Sequence, residues 1–293
     1  MSWLIFAFAS ALMSAVSDTL CKKASQHTDS WTVTWVRFGY SSLFLLPLLA
    51  FVEIPNLDQV FWLATAALLP LELTAASLSM RALQMSPLSL TIPYLAFTPL
   101  FLLLVPALIL GERLSMHGML GVICIVAGAY LLNLQTNNHL NSNGPRWLAP
   151  LRAIARENGS RLMLMAAMLY SLTSTLGKVA VKHSSPLFFA SFYYPLAGLC
   201  LFPIAAMKSD RRLRFAATQV RLFLLIGMAV ALTVICHFMA LNQAEVAYMI
   251  SIKRTSMIFA TILGWLFFRE KNLRQRLLGC GVMLAGVILI SST

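Results

Sequence analysis

The sequence predicts an all-α membrane protein: ten transmembrane helices arranged as two inverted five-helix repeats around a central cavity. Three observations predict it. Of 293 residues, 59% are hydrophobic and 11% are charged, whereas a soluble domain is about a quarter charged because water must wet its surface. The apolar residues fall in runs of about 20, the length that crosses a ~30 Å hydrocarbon core at 1.5 Å per residue. Two stretches of the chain also repeat each other in order.

The spans run over residues 3–21, 31–51, 60–80, 86–109, 117–134, 162–180, 186–207, 222–240, 246–268 and 277–291. The apolar run 3–20 lacks a basic leading region and a small-residue cleavage site, so it reads as the first span rather than a signal peptide. Prolines at positions 87, 93, 99 and 106 recur along the fourth span. Pro87, Pro93, Pro99 and Pro106 predict either a broken helix lining a cavity or a kinked packing helix. One long connection, 135–161, separates a first repeat (1–134) from a second (162–293). Within it, 146–156 places Trp147, Leu148, Leu151, Ile154 and Ala155 at helical spacing, with Arg152 and Arg156 off that stripe. The pattern predicts a short amphipathic helix lying on the membrane surface.

A net charge of +12 invites a nucleic-acid reading, but the placement of the cations opposes it. Most of the 22 Lys and Arg residues fall at loops 1–2, 3–4, 5–6, 7–8 and 9–10; Arg113 and Lys182 fall in the opposite set. That sorting is what the positive-inside rule produces, and it puts the basic loops in the cytoplasm and both termini outside. The membrane expected is a bacterial inner membrane, and the partners are the bilayer and a small molecule, with no nucleic acid.

Shifted by 156, Thr19, Leu20, Lys22, Ala24, His27 and Pro47 meet Thr175, Leu176, Lys178, Ala180, His183 and Pro203. Shifted by 158, Ala82, Leu83, Ile92, Glu112, Gly121, Ala127 and Gly128 meet Ala240, Leu241, Ile250, Glu270, Gly279, Ala285 and Gly286. Lys, His, Pro, Glu and paired Gly recurring in order are poorly explained by chance. Five spans per half is an odd number, so the halves insert with opposite topology, the architecture of alternating-access transporters.

The order of Lys22 late in the first span, Arg37 early in the second and Gly111-Glu112-Arg113 before a small-residue span resembles the EamA-type transporters of the drug/metabolite transporter superfamily. The second half repeats the order as Lys178 and Arg269-Glu270-Lys271, with Tyr193 in place of the Arg. The resemblance covers nearly the whole chain and implies ten helices, a central cavity and no cofactor. It leaves the substrate open, since the superfamily carries amino acids, amines, nucleotide sugars and sugar phosphates. Lys253-Arg254 further resembles the ninth-helix pair by which the triose-phosphate translocators hold the substrate phosphate. Their fourth-helix Lys falls near Leu95 here, so Arg81 or Arg37 would have to supply that contact.

Charges inside a span need a reason, because the bilayer penalises them. Lys253 and Arg254 in the ninth span point about 100° apart, which is hard to satisfy by snorkelling of both. A water-facing cavity with an anionic substrate explains the pair: Arg offers a planar fork for two oxygens and Lys a point charge. Asp18, Glu72 and Glu245 are the acidic counterparts, open either to ion pairing or to proton coupling. Glu245 could alternatively cap the ninth helix. Glu112 and Glu270 follow turn signals and are expected to hold helix ends. Tyr94, Tyr193, Tyr194, Tyr248 and Trp265 either line the cavity or pack and anchor at the interface.

The five cysteines form no C-x-x-C pair and the five histidines show no ligand spacing, so no metal site is expected. A membrane enzyme would need a nucleophile–base pair or a carboxylate dyad, and ATP-driven pumping a phosphate loop; neither motif is present. The expectation is a secondary transporter of a small organic anion, phosphorylated substrates included. The alternative is an exporter of amino acids, amines or drugs.

Overall fold

The computed structural model describes residues 2–25, 28–85, 94–95, 97–134, 158–209, 219–259, 262 and 273–292. Among the described residues every regular element is helical. Pro87, Pro93, Trp265, Arg269, Glu270, Lys271, the side chain of Lys22 and the expected surface helix at 146–156 lie outside them.

The helices are α1 (Ser2–Ser25), α2 (Ser30–Leu45) with a 3-10 extension (Leu46–Ala50), α3 (Gln59–Met85), α4 (Thr98–Phe101), α5 (Val105–Leu110), α6 (Met116–Leu134), α7 (Asn158–Lys182), α8 (Pro186–Lys208), α9 (Val220–Gln243), α10 (Val246–Lys253) and α11 (Leu273–Ser291). Six are long and apolar enough to cross a membrane, namely α1, α2 with its extension, α3, α7, α8 and α9. They coincide with the first, second, third, sixth, seventh and eighth expected spans. Shorter apolar helices cover Thr98–Leu110, Met116–Leu131 and Leu278–Ser291.

Departures from continuous spans have local causes. Pro47 has no N–H to bond Leu43, and the chain tightens into the 3-10 extension there. Pro70 is accommodated inside an unbroken α3, where Thr74 Oγ1 donates to the Pro70 carbonyl at 2.7 Å. The described part of the fourth span is broken, as one of the two sequence expectations had it. Pro99 and Pro106 each stand in the first turn of a short helix, where a missing N–H is harmless. The ninth span, expected as one helix from 246, is helical to Lys253, turns at Arg254 and Thr255, and is helical again over 256–259. Ser251 Oγ donates to Ala247 O at 2.6 Å and Thr255 Oγ1 to Ile252 O at 2.7 Å, back-bonding that bends helices.

The chain groups into two compact units, each drawn from both sequence halves. The first comprises Met1–Leu69, Leu176–Ala244 and Phe259–Phe268. In it α1 lies antiparallel to α9, with Ser2 bonded to Gln243 and Ser10 Oγ donating to Thr233 O at 3.1 Å. Ala7, Ala11 and Ala15 are fully enclosed, small residues that let two backbones approach where no hydrophobic effect drives association. Helix α2 lies antiparallel to α8: Asp29, which caps α2, accepts from Ser209 Oγ at 2.8 Å, and Lys208 sits 4.7 Å over the Trp31 ring. At the opposite end Asp58 accepts from Phe61 N–H at 2.8 Å and lies 2.7 Å from His183 Nδ1. Phe61, Trp62, Phe188, Phe189 and Phe192 pack ring against ring beside that contact.

The second unit comprises Pro70–Thr175, Glu245–Ile258 and Arg269–Thr293. Its principal contact is α6 against α11. A Cβ added at Gly121 would meet Gly286 O at 2.8 Å, and one added at Gly128 would meet Gly279 O at 2.6 Å. Only glycine permits that separation. Ala82, Tyr94, Met163 and Ala166 form a further buried cluster, with Phe97 and Tyr170 against it.

Candidate functional site

The site candidates of the second unit gather around α10. Helix α5 ends at Gly111, whose φ of 68° is left-handed and closes the helix. The turn delivers Glu112, whose Oε2 accepts from the Val246 N–H at 3.0 Å, the first residue of α10. Glu245 occupies the N-cap position, but its side chain makes no capping bond. The cap expected of Glu245 is therefore supplied by Glu112, which reaches the orphan N–H from another segment. Ser115 N–H donates to Tyr248 Oη at 3.0 Å, and Gly118 leaves room for that phenol. So α10 is held at its first turn by two side-chain contacts, from Glu112 and Tyr248.

Eight residues on, α10 ends at Lys253 with Arg254 as its C-cap. The carbonyl end of a helix favours cations. Arg254 N–H bonds to both Ile250 O and Ser251 O, and Thr255 N–H bonds to Ile252 O, so the helix tightens as it stops. Both Lys253 and Arg254 are partly buried. Arg254 Nη2 donates to Thr98 Oγ1 at 3.0 Å. Thr98 opens α4 in the broken fourth span and is 1% exposed. A guanidinium has five donors, and the Thr98 hydroxyl takes one of them.

The remaining candidates are spread more widely. Tyr94 is 0% exposed and stacks on Phe97 with centroids 6.3 Å apart. Arg81 is exposed and Glu72 partly buried on α3, and Glu245 is partly buried. In the first unit, Arg37 Nη1 stands 3.4 Å from Asp18 Oδ1, joining α2 to α1. Tyr193 is buried and stacks on Phe189 at 5.2 Å, while Tyr194 stacks on Phe38 at 5.3 Å. Lys178, buried in α7, donates from Nζ to Ala244 O at 2.7 Å and so holds the carbonyl of the residue that caps the end of α9.

Two carboxylates outside the spans carry shifted titrations. Burial raises Asp29, but bonds from Thr32, Ser209 and Trp31 outweigh it and hold its carboxyl below the ordinary range. Asp58 is also held low, chiefly by the Phe61 N–H and further by His183.

Sequence reasoning did not anticipate Thr98 as the partner of Arg254, since nothing marks one threonine among many. It singled out Lys178 and Glu112 through the repeat and expected Glu112 to hold a helix end, without assigning it to α10.

Apolar helices of spanning length, with charged side chains held at helix ends, define the class: an integral, multi-pass helical membrane protein. The chain matches the EamA-like transporter family over residues 1–134 and 158–292 and belongs to that family, which lies within the drug/metabolite transporter superfamily. It is a membrane transporter and not an enzyme. It is 20% identical over 293 residues to a protein of Archaeoglobus fulgidus described as an uncharacterized transporter, covering 98% of this chain and 97% of the relative. It is also similar in fold to a crystal structure at 14% identity with a TM-score of 0.79, covering 99% of this chain and 96% of that one.

Proposed function

We propose that the protein is a secondary active transporter of a small organic anion, of the carboxylate or phosphate ester class, working by alternating access between two inverted five-helix repeats. The observation that carries the substrate class is Arg254. It sits at a helix break inside an apolar segment, beside Lys253, with a neutral hydroxyl as a guanidinium partner. Two adjacent cations in that position are what an anion in transit would require. Arg81 and Tyr94, in the same unit as Lys253 and Arg254, join the proposed substrate-binding set.

The repeat reading draws support from the glycines. The shift of 158 maps Gly121 onto Gly279 and Gly128 onto Gly286, and the close approaches run crosswise, Gly121 to Gly286 and Gly128 to Gly279. Crosswise exchange of equivalent positions is what a two-fold axis produces. The two matched segments, 1–134 and 158–292, agree closely with the proposed halves, 1–134 and 162–293.

The alternative substrate class, amino acids, amines or drugs, would call on an acid to bind a cation. Asp18 already faces Arg37, which favours the anion. The test is Arg254→Gln, measured as binding of 3-phosphoglycerate to the purified protein. Loss of a charge-assisted contact of about 1.5–3 kcal/mol predicts roughly 10- to 150-fold weaker affinity. Arg254→Lys should rescue only partly, because an ammonium cannot make the bidentate contact. Unchanged affinity in both variants would remove the cation from the site.

A further inference from the structure

Pro99 orphans a carbonyl next to the Arg254 contact. In a continuous helix the Leu95 carbonyl would accept from the residue four on, but that residue is Pro99, which has no N–H. The Thr98 hydroxyl takes over and donates to Leu95 O at 2.8 Å. A hydroxyl has one proton and two lone pairs, so with its proton on Leu95 the Thr98 oxygen can only accept from other groups. Arg254 Nη2 is a donor that meets it, at 3.0 Å. Thr98 is 1% exposed, so no bulk water competes for the hydroxyl, and buried bonds of fixed polarity hold their direction. Leu95, Thr98, Pro99 and Arg254 all belong to the second unit.

The bond joins two helix breaks that stand at matching places in the sequence. The fourth span is helical at 94–95 and resumes as α4 at Thr98. The ninth is helical to Lys253 and resumes at 256. The shift of 158 that aligns the later spans carries 95 to 253 and 98 to 256. We infer that Thr98 is a positioning residue of the anion site: its proton is fixed by the carbonyl that Pro99 orphans, and its oxygen sets the orientation of the Arg254 guanidinium. This role rests on the anion-transport reading above and deepens it by naming what aims the fork. A guanidinium is planar, and forked recognition of a carboxylate or phosphate needs that plane at one angle. Arg254 stands on a turn between helical stretches, where the backbone alone leaves a long side chain several rotamers. A directional bond at Nη2 selects among them before the substrate arrives, so that part of the ordering cost is not met again on binding. Thr98 acts through Arg254 and touches no substrate itself.

The test is a double-mutant cycle on the full chain in lipid nanodiscs, read as equilibrium binding of labelled 3-phosphoglycerate and of labelled lactate. Thr98→Val is close in size and removes the hydroxyl; it should weaken binding roughly 3- to 10-fold, the net worth of one hydrogen bond. Thr98→Ser keeps the hydroxyl and should bind within about twofold of the parent, the scatter of independent substitutions. In the Arg254→Gln background Thr98→Val should change affinity by less than about twofold, because the group it positions is gone. Thr98→Val also leaves the Leu95 carbonyl without its donor, which costs stability. If it does not fold for that reason, Pro99→Ala returns an N–H to that carbonyl, and Pro99→Ala/Thr98→Val is compared with Pro99→Ala, with weaker binding again expected from loss of the hydroxyl. Equal losses on Thr98→Val with and without Arg254→Gln, or no rescue by Thr98→Ser, would mean the hydroxyl serves the fold alone and would overturn the inference. So would parental affinity in Thr98→Val while Arg254→Gln binds weakly, an outcome that leaves the anion reading standing. A parent that binds neither anion, or an Arg254→Gln protein that binds both as the parent does, overturns the anion reading and the role of Thr98 with it.

Discussion

Asp29 joins two neighbouring segments through one carboxylate. It caps α2 by accepting from Thr32 N–H at 3.0 Å and accepts from Ser209 beyond the end of α8 at 2.8 Å. Asp29→Ala should destabilise the protein by about 1–2 kcal/mol, the range for strong N-caps. The pH dependence has a definite sign. The folded carboxyl titrates below its unfolded counterpart, so its stabilisation is complete above the ordinary carboxylate range and is lost as pH falls through the folded value. The gap in melting temperature between parent and Asp29→Ala should therefore be largest near neutral pH and shrink in acid. A gap independent of pH would mean the carboxylate charge plays no part. Asp29 before an apolar run could be read as a cap from sequence alone; its bond to Ser209 could not, because 180 residues separate the two.

At the scale of elements, the glycines of α6 and α11 and the cap of α10 make separate predictions. A methyl at Gly286 would come within 2.6 Å of Gly121 O, and the backbone there cannot yield as a flexible side chain would. Gly286→Ala should cost about 1–3 kcal/mol by overpacking. Gly281, with nothing within 4 Å of a Cβ, should accept Ala without loss of stability in the same denaturation series. Equal responses would mean the two helices do not pack at Gly286. For α10, Glu112→Ala should leave Val246 N–H unsatisfied and loosen the helix bearing Lys253 and Arg254, weakening anion binding, while Glu112→Gln keeps an acceptor and should preserve most of it. The long helices were legible because hydropathy and length alone define them. The short ones were not: α4, α5 and α10 are set by Pro99, Pro106 and the hydroxyl back-bonds near Arg254, whose consequences depend on tertiary partners. Glu245 shows the same limit. Its position at a helix start was readable, but which acid would reach Val246 N–H was decided by the left-handed turn at Gly111.

At the scale of the molecule, hydropathy established a multi-pass membrane protein and the ordered repeat pointed to a transporter, both upheld by family membership. The distribution of cations yields a topology that can be tested. His183 and Asp58 belong to one end of the first unit, and Ser209, Lys208 and Trp31 to the other. On the positive-inside reading the first end is external. In a cysteine-free background, a membrane-impermeant thiol reagent applied to intact cells should label His183→Cys and spare Lys208→Cys. The reverse pattern would invert the orientation. The candidate cations were legible as charges in apolar runs, yet the ion pair between Asp18 and Arg37 required knowing how α1 and α2 face each other.

The most direct test of an anion transporter is a counterflow panel. Parent protein in proteoliposomes, preloaded with one compound at high concentration, is offered the same compound labelled outside. The panel comprises 3-phosphoglycerate, lactate, phenylalanine and tetraphenylphosphonium, with Arg254→Gln run beside it. The account predicts transient accumulation of an anion, abolished or strongly weakened by Arg254→Gln, and none of the cation. Accumulation of tetraphenylphosphonium or phenylalanine in parent and Arg254→Gln alike, with no anion moved, would contradict it.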